Sequence, residues 1–183
     1  FSGGTFSVGP GGYNQSSGVT RFAMGTQFFG PLNVNGGELR GFGTFTGPVN
    51  VAGGRLVPGA SPGAMTINGD FNLGPSSVVD IELQGNGGQP GVDYDFIQVN
   101  GNAALAGQLN LLDISNGGSG DGLLPGTQFA FLQANSISGQ FDNINRSTNS
   151  PNYTLGNVVV SPSQAGSFLV VDVVGNVTPP PPP

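Results

Sequence analysis

Residues 31–39 read PLNVNGGEL and residues 48–56 read PVNVAGGRL. The two segments start seventeen residues apart and share Pro, Asn, Val, Gly, Gly and Leu at matching positions. Each opens with apolar residues at alternate positions, Leu32 and Val34 in one and Val49 and Val51 in the other, as a half-buried strand requires. Each then turns through Gly-Gly and resumes with a second apolar position. A unit this short cannot bury an apolar face alone, so parallel copies stacked about 4.8 Å apart must share one core. In that arrangement the repeated Gly-Gly allows positive φ at a stacked corner, and Asn33 lies over Asn50 in a side-chain amide ladder. The competing reading is that Gly and Asn mark ordinary hairpin turns of a β-sandwich. Weaker echoes of the unit occur at Ile67-Asn68-Gly69 and Val99-Asn100-Gly101.

Working outward, short strand-like runs bounded by Gly, Asn, Pro or Asp continue along the chain, among them GTFSV, GTFTG, SVVDIEL and YDFIQVNG. Gly interrupts almost every window in which a 3.6-residue period could develop, so helix signals are nearly absent. The expected fold is all-β: a right-handed parallel β-solenoid grading into an antiparallel terminal section. Its divisions are an N-terminal strand segment over 1–19, solenoid coils over 20–119, antiparallel strands over 120–177, and a polyproline tail over 178–183. The longer alternating runs TQFAFLQA and SFLVVDVV, with hairpin-length loops, motivate the third division. The tail reads as a stiff, extended linker.

The composition narrows the function. Among 183 residues there are 34 Gly, four Arg, no Lys, ten acids and no Cys, His or Trp, for a net charge of −6. So few cations cannot neutralise a row of phosphates, which argues against nucleic acid and against anionic membrane surfaces. No apolar run approaches the roughly 20 residues of a membrane-spanning helix. Without Cys and His there is no disulfide, no thiol chemistry and no imidazole acid–base catalysis. The chain opens on Phe1 rather than Met, which is compatible with removal of a leader and with excision from a longer protein.

Between the repeats and the later strands lies GRLVPGASPGAMTINGDF, residues 54–71, with two Pro-Gly steps close together. Pro58 and Pro62 fix φ, while Gly59 and Gly63 allow tight reversals. The succession Pro58-Gly59, Ser61-Pro62-Gly63, Met65 to Phe71, Tyr94-Asp95 to Gly101, Leu105 to Leu109 and Gly126 to Leu132 resembles the C-terminal β-solenoid region of bacterial autotransporter passenger domains and of secreted surface proteins with a PEP-CTERM sorting signal. The resemblance covers about residues 31–145. It implies an extracellular or bacterial cell-surface location, and that the Pro-Gly corner is where regular coils give way to terminal strands. The proline-rich end also fits it, although the sorting signal itself is absent from this sequence.

Candidate chemistry is sparse. Asp80 and Glu82 alternate with Val79, Ile81 and Leu83 and so share one strand face. Such a pair serves glycoside hydrolysis when it faces a cleft, but a solvated face beside a buried one is the plainer reading. Asp93 and Asp95 offer oxygen ligands for a structural calcium ion, with Asp70, Asp121 and Asp142 as further donors, though no calcium-loop spacing is met. No other cofactor is expected. Of the cations Arg21, Arg40, Arg55 and Arg146, Arg40 and Arg55 sit near Glu38, as in a surface ion pair. Seven of thirteen Phe fall within the first 45 residues. Phe1, Phe6 and Val8 belong to an N-terminal strand that either pairs with another copy or packs on its own core.

These readings converge on a non-enzymatic extracellular structural protein. It self-associates head to tail through strand and end contacts, into a filament or surface matrix. Two alternatives are an adhesin fragment binding cell-surface polysaccharide and a polysaccharide-degrading β-helix enzyme. The latter requires Asp80, Glu82, Asp93 and Asp95 to converge in a cleft.

Overall fold

The computed structural model describes residues 1–85, 87–115, 123–148, 158–163 and 168–173. The chain begins with the short strands β1 (Gly4–Ser7), β2 (Tyr13–Gln15), β3 (Val19–Phe22), β4 (Thr26–Phe29), β5 (Leu32–Val34), β6 (Glu38–Gly41) and β7 (Gly43–Thr46). Two long strands follow, β8 (Val49–Pro58) and β10 (Phe71–Leu83), separated by β9 (Ala64–Asn68). Then come β11 (Phe96–Val99), β12 (Asn102–Leu105), β13 (Gln108–Asp113), β14 (Gln128–Gln133), β15 (Ser136–Gly139) and β16 (Asn143–Thr148). The last two are β17 (Val158–Ser163) and β18 (Phe168–Val173).

These strands form two sheets, and the chain crosses between them repeatedly. Among the described residues the first sheet has the order β1-β4-β7-β9-β11-β14-β18-β17. The second runs β2-β5-β8-β10-β12-β15, with β3-β6 joining β8 and β13-β16 joining β10. All pairings from β1 to β16 are parallel. The fold is therefore all-β with largely parallel sheets.

The register explains the repeat. Leu32, Asn33 and Val34 lie opposite Val49, Asn50 and Val51, and Glu38 and Leu39 lie opposite Arg55 and Leu56. The seventeen-residue offset seen in the sequence is thus the offset between stacked residues. Side chains of like character form columns, and the inward columns are the core. Phe28, Phe45, Ile67 and Val99 make one, and Leu39, Leu56, Val79 and Leu109 another, all fully or nearly fully buried. Each such side chain contributes about 1.5–3 kcal/mol of apolar burial. Gly54 has φ of +82°, and a Cβ there would stand 2.5 Å from the Gly37 carbonyl oxygen, so close stacking as well as backbone conformation demands glycine.

The expected amide ladder is present and longer than the repeat alone suggests. Asn72 Nδ2 donates to Asn50 Oδ1 (2.8 Å), Asn50 Nδ2 to Asn33 Oδ1 (2.8 Å), and Asn33 Nδ2 to Asn14 Oδ1 (3.0 Å). Asn14 Nδ2 in turn donates to the carbonyls of Gly11 (2.9 Å) and Gly12 (3.4 Å). The echoes at Asn68 and Asn100 stack on each other, Asn100 Nδ2 donating to Asn68 Oδ1 at 2.7 Å. They belong to the first sheet, however, and not to the column of Asn33 and Asn50.

Two expectations are corrected. Parallel pairing does not stop near residue 120, since β14, β15 and β16 continue it onto β11, β12 and β13. Antiparallel pairing is confined to β14 with β18 and β18 with β17. Nor does the Pro-Gly corner mark an end of regular stacking, because β8 before it and β9 after it both have parallel neighbours on two sides. It is one crossing between sheets within the stack. The tail over 178–183 lies outside the described residues.

Asn50 makes two ladder bonds and Asn72 donates one, each worth about 1 kcal/mol. Asn50→Ala should therefore lower unfolding free energy in denaturant titration by about twice as much as Asn72→Ala.

Candidate functional site

Of the carboxylates singled out in the sequence, Asp80 and Glu82 lie on β10, and Asp95 lies beside it, its N–H donating to the Glu82 carbonyl. Asp80 is not on a solvated face. It is 6% exposed, with the Arg55 guanidinium paired to Oδ2 and Asn110 Nδ2 donating to Oδ1 at 2.7 Å. Gln108 Nε2 extends the chain of bonds to Asn110 Oδ1 at 2.6 Å. Alternation correctly placed Asp80 away from the core but could not show what covers it. Arg55 thus pairs with Asp80 rather than with Glu38. Glu38 Oε1 instead meets Arg40 Nε at 2.5 Å, an ion contact in which the N–H is not directed along a hydrogen bond.

Asp95 is completely buried. Its Oδ1 accepts the Gly63 N–H at 2.7 Å and its Oδ2 accepts the Glu82 N–H at 2.9 Å. One carboxyl group therefore ties the Pro-Gly corner to β10. The corner needs such a tie: Gly59 has φ of +72°, and a Cβ on it would lie 2.2 Å from Gly63 Cα. Burial pushes the Asp95 carboxyl up to about 8, against the two amide hydrogen bonds, with the Glu82 and Asp80 charges adding to the rise. Glu82 Oε2 is buried without a hydrogen-bond partner among the described residues.

Asp93 is separate from this cluster, its Oδ2 accepting the Gln89 N–H at 2.9 Å. A calcium ion bridging Asp93 and Asp95 would have to displace a peptide N–H group from Asp95, whose two oxygens each accept one. Among the described residues no group of three or more acidic side chains is arranged to hold a metal. Asp70 accepts from the N–H and Nδ2 of Asn102 (2.8 and 3.2 Å), and Asp142 accepts the Gly107 N–H at 2.7 Å. Asp121 lies outside the described residues. Each described carboxylate from this group other than Glu82 thus receives a hydrogen bond from the chain itself.

At the other end of the strand order, Phe1 is held by its own backbone. Its amino group donates to the Arg21 carbonyl (2.8 Å), and its carbonyl accepts the Ala23 N–H (2.9 Å). Its ring stacks on Phe22 at 4.6 Å between centroids and meets Phe6 edge-on at 4.5 Å. Phe6 and Val8 pack against the core, and β1 pairs with β4. The other edge of β1 has no partner among the described residues.

Arg21 and Arg40 were missed as a pair. They lie directly opposite each other on β3 and β6, which extending the repeat back to Val19-Thr20-Arg21 would have revealed. Arg146 lies opposite Leu111 on β16 and is exposed.

No protein-family model matches the chain, and a search of curated proteins found no match. The site is therefore read from its own chemistry.

Between about pH 4 and 8 the folded state retains the Asp95 proton that the unfolded chain releases, so stability falls as pH rises. This contribution is full below about 4 and lost as pH passes through about 8. Denaturant titrations at pH 5 and pH 8 should show it. Asp95→Ala should remove it and cost about 1–3 kcal/mol for each amide left unpaired.

Proposed function

We propose that this chain is a non-enzymatic extracellular structural protein, a right-handed parallel β-solenoid that self-associates end to end into a filament or surface matrix. The observation that carries this reading is the outer edge of β1, which has no partner among the described residues. Val8 N–H points to β4, donating to the Phe29 carbonyl. By alternation in a parallel pair, Thr5 and Ser7 direct their peptide groups the other way. An unpaired strand edge beside the Phe1–Phe6–Tyr13 ring cluster is a template for another strand. Negative-stain electron microscopy across a concentration series should show regular filaments. Thr5→Pro and Ser7→Pro remove only outward N–H groups, so they should abolish filaments while the far-ultraviolet circular dichroism is retained. Filaments that persist in both variants would exclude this edge as the contact, and dispersed monomers at every concentration would exclude the reading itself.

A second reading, an adhesin fragment that binds polysaccharide, is favoured by a different face. The parallel strands β1, β4, β7, β9, β11 and β14 contain no charged residue. Thr5, Gln27, Thr44, Thr66, Gln98 and Gln133 form one uncharged column across them. Such a surface offers hydroxyls and amides to a neutral glycan. Cosedimentation with insoluble neutral polysaccharide that is insensitive to salt would support it, and no cosedimentation would remove it.

A further inference from the structure

A groove of about 480 Å³ runs along the side of the molecule where β3, β6 and β8 end and the chain crosses to the first sheet. Its volume lies within the range of small-molecule sites. The walls are mainly apolar: Phe1, Phe22, Met24 and Phe42, with Arg21 and Arg40 beside them. The two arginines are in-register neighbours on adjacent parallel strands, an arrangement that costs stability through like-charge repulsion. Glu38 relieves Arg40 alone. Among the described residues Arg21 has no acidic group within ion-pair distance, and Met24 stands 76% exposed at the rim. Two neighbouring cations, only one of them paired with a carboxylate, beside an apolar trough form a receptor for the missing negative charge.

The geometry points to this groove as a binding site for a small organic anion with an apolar body, its carboxylate held by Arg21 and Arg40 and its body lying on Phe1, Phe42 and Met24. A guanidinium binds a carboxylate through paired N–H donors, so the anion both satisfies Arg21 and cancels the repulsion with Arg40. The site shares Phe1 with the ring cluster beside β1, but Arg21, Arg40, Phe42 and Met24 lie at the strand ends and crossings that follow β3 and β6, and none of them is on β1.

The chain has two methionines, and Met65 is buried at 1% exposure whereas Met24 lines the groove. Methyl-labelled methionine therefore gives one reporting signal and one internal control. Titrated with octanoate, the Met24 signal should shift and saturate while Met65 stays fixed. Octanol should bind about tenfold more weakly, and Arg21→Gln should weaken octanoate by about the same factor, the low end for a charge-assisted hydrogen bond. Glu38→Gln should tighten octanoate by freeing Arg40. Equal binding of octanoate and octanol, or an Arg21→Gln variant with folded spectra and unchanged octanoate affinity, would overturn the proposal, as would a shift of Met65 instead of Met24. Saturation by acetate as tightly as by octanoate would also overturn it, since the apolar walls would then contribute nothing.

Discussion

One constraint governs most of this molecule: apart from the contact of β14 with β18, each strand from β1 to β16 lies parallel to its neighbours, so side chains face others of similar position about 4.8 Å away. Apolar residues meet that constraint by forming continuous buried columns. Neutral amides meet it by donating to one neighbour and accepting from the other, as Asn33 and Asn50 do. Charges meet it badly, because repetition places like over like. The low number of charged residues follows from this, and the two ion pairs among the described residues join either neighbours on one strand, Glu38 and Arg40, or residues on adjacent strands. Arg55 finds its carboxylate on the next strand, at Asp80, 25 residues along the chain.

The buried carboxyls perform a second task, closing the places where regular pairing fails. At the Pro-Gly corner the Gly63 N–H has no strand to donate to, and Asp95 supplies an acceptor that also takes the Glu82 N–H. Asp142, an exposed residue, likewise accepts the Gly107 N–H. A peptide N–H left unpaired in the interior costs more than a typical hydrogen bond contributes. An acidic side chain at such a position is therefore a structural element first, even when its pattern in the sequence suggests a metal ligand or a catalytic pair.

The fold class was legible because strand alternation and turn residues are local signals. The stacking of residues 31–39 on 48–56 was legible because the spacing is short and the turn residues coincide. Further along, stacked partners are separated by 22 residues at Asn50 and Asn72, 32 at Asn68 and Asn100, and 34 at Asn102 and Ser136. Lengthened crossings hide the period while preserving the stack. The echoes at Asn68-Gly69 and Asn100-Gly101 carried no sheet assignment, because a strand end looks alike in either sheet. No local signal could show that Asp95 turns inward to the corner, since its partners lie 32 and 13 residues away. The Arg21–Arg40 juxtaposition was in principle readable, but only once the register was extended by one more strand.

The asparagine ladder has a direction, each amide giving its protons toward the start of the chain. At that end the donor of Asn14 is spent on the carbonyls of Gly11 and Gly12. At the other, Asn72 is followed in register by Ala104, which has no amide to offer. The ladder is thus a line with a written beginning and a written stop. Stacked amides in cross-β fibrils propagate because every layer presents the same hook to the next. Here the sequence withholds that hook on both sides, and the amide column that steadies the molecule sets its own length.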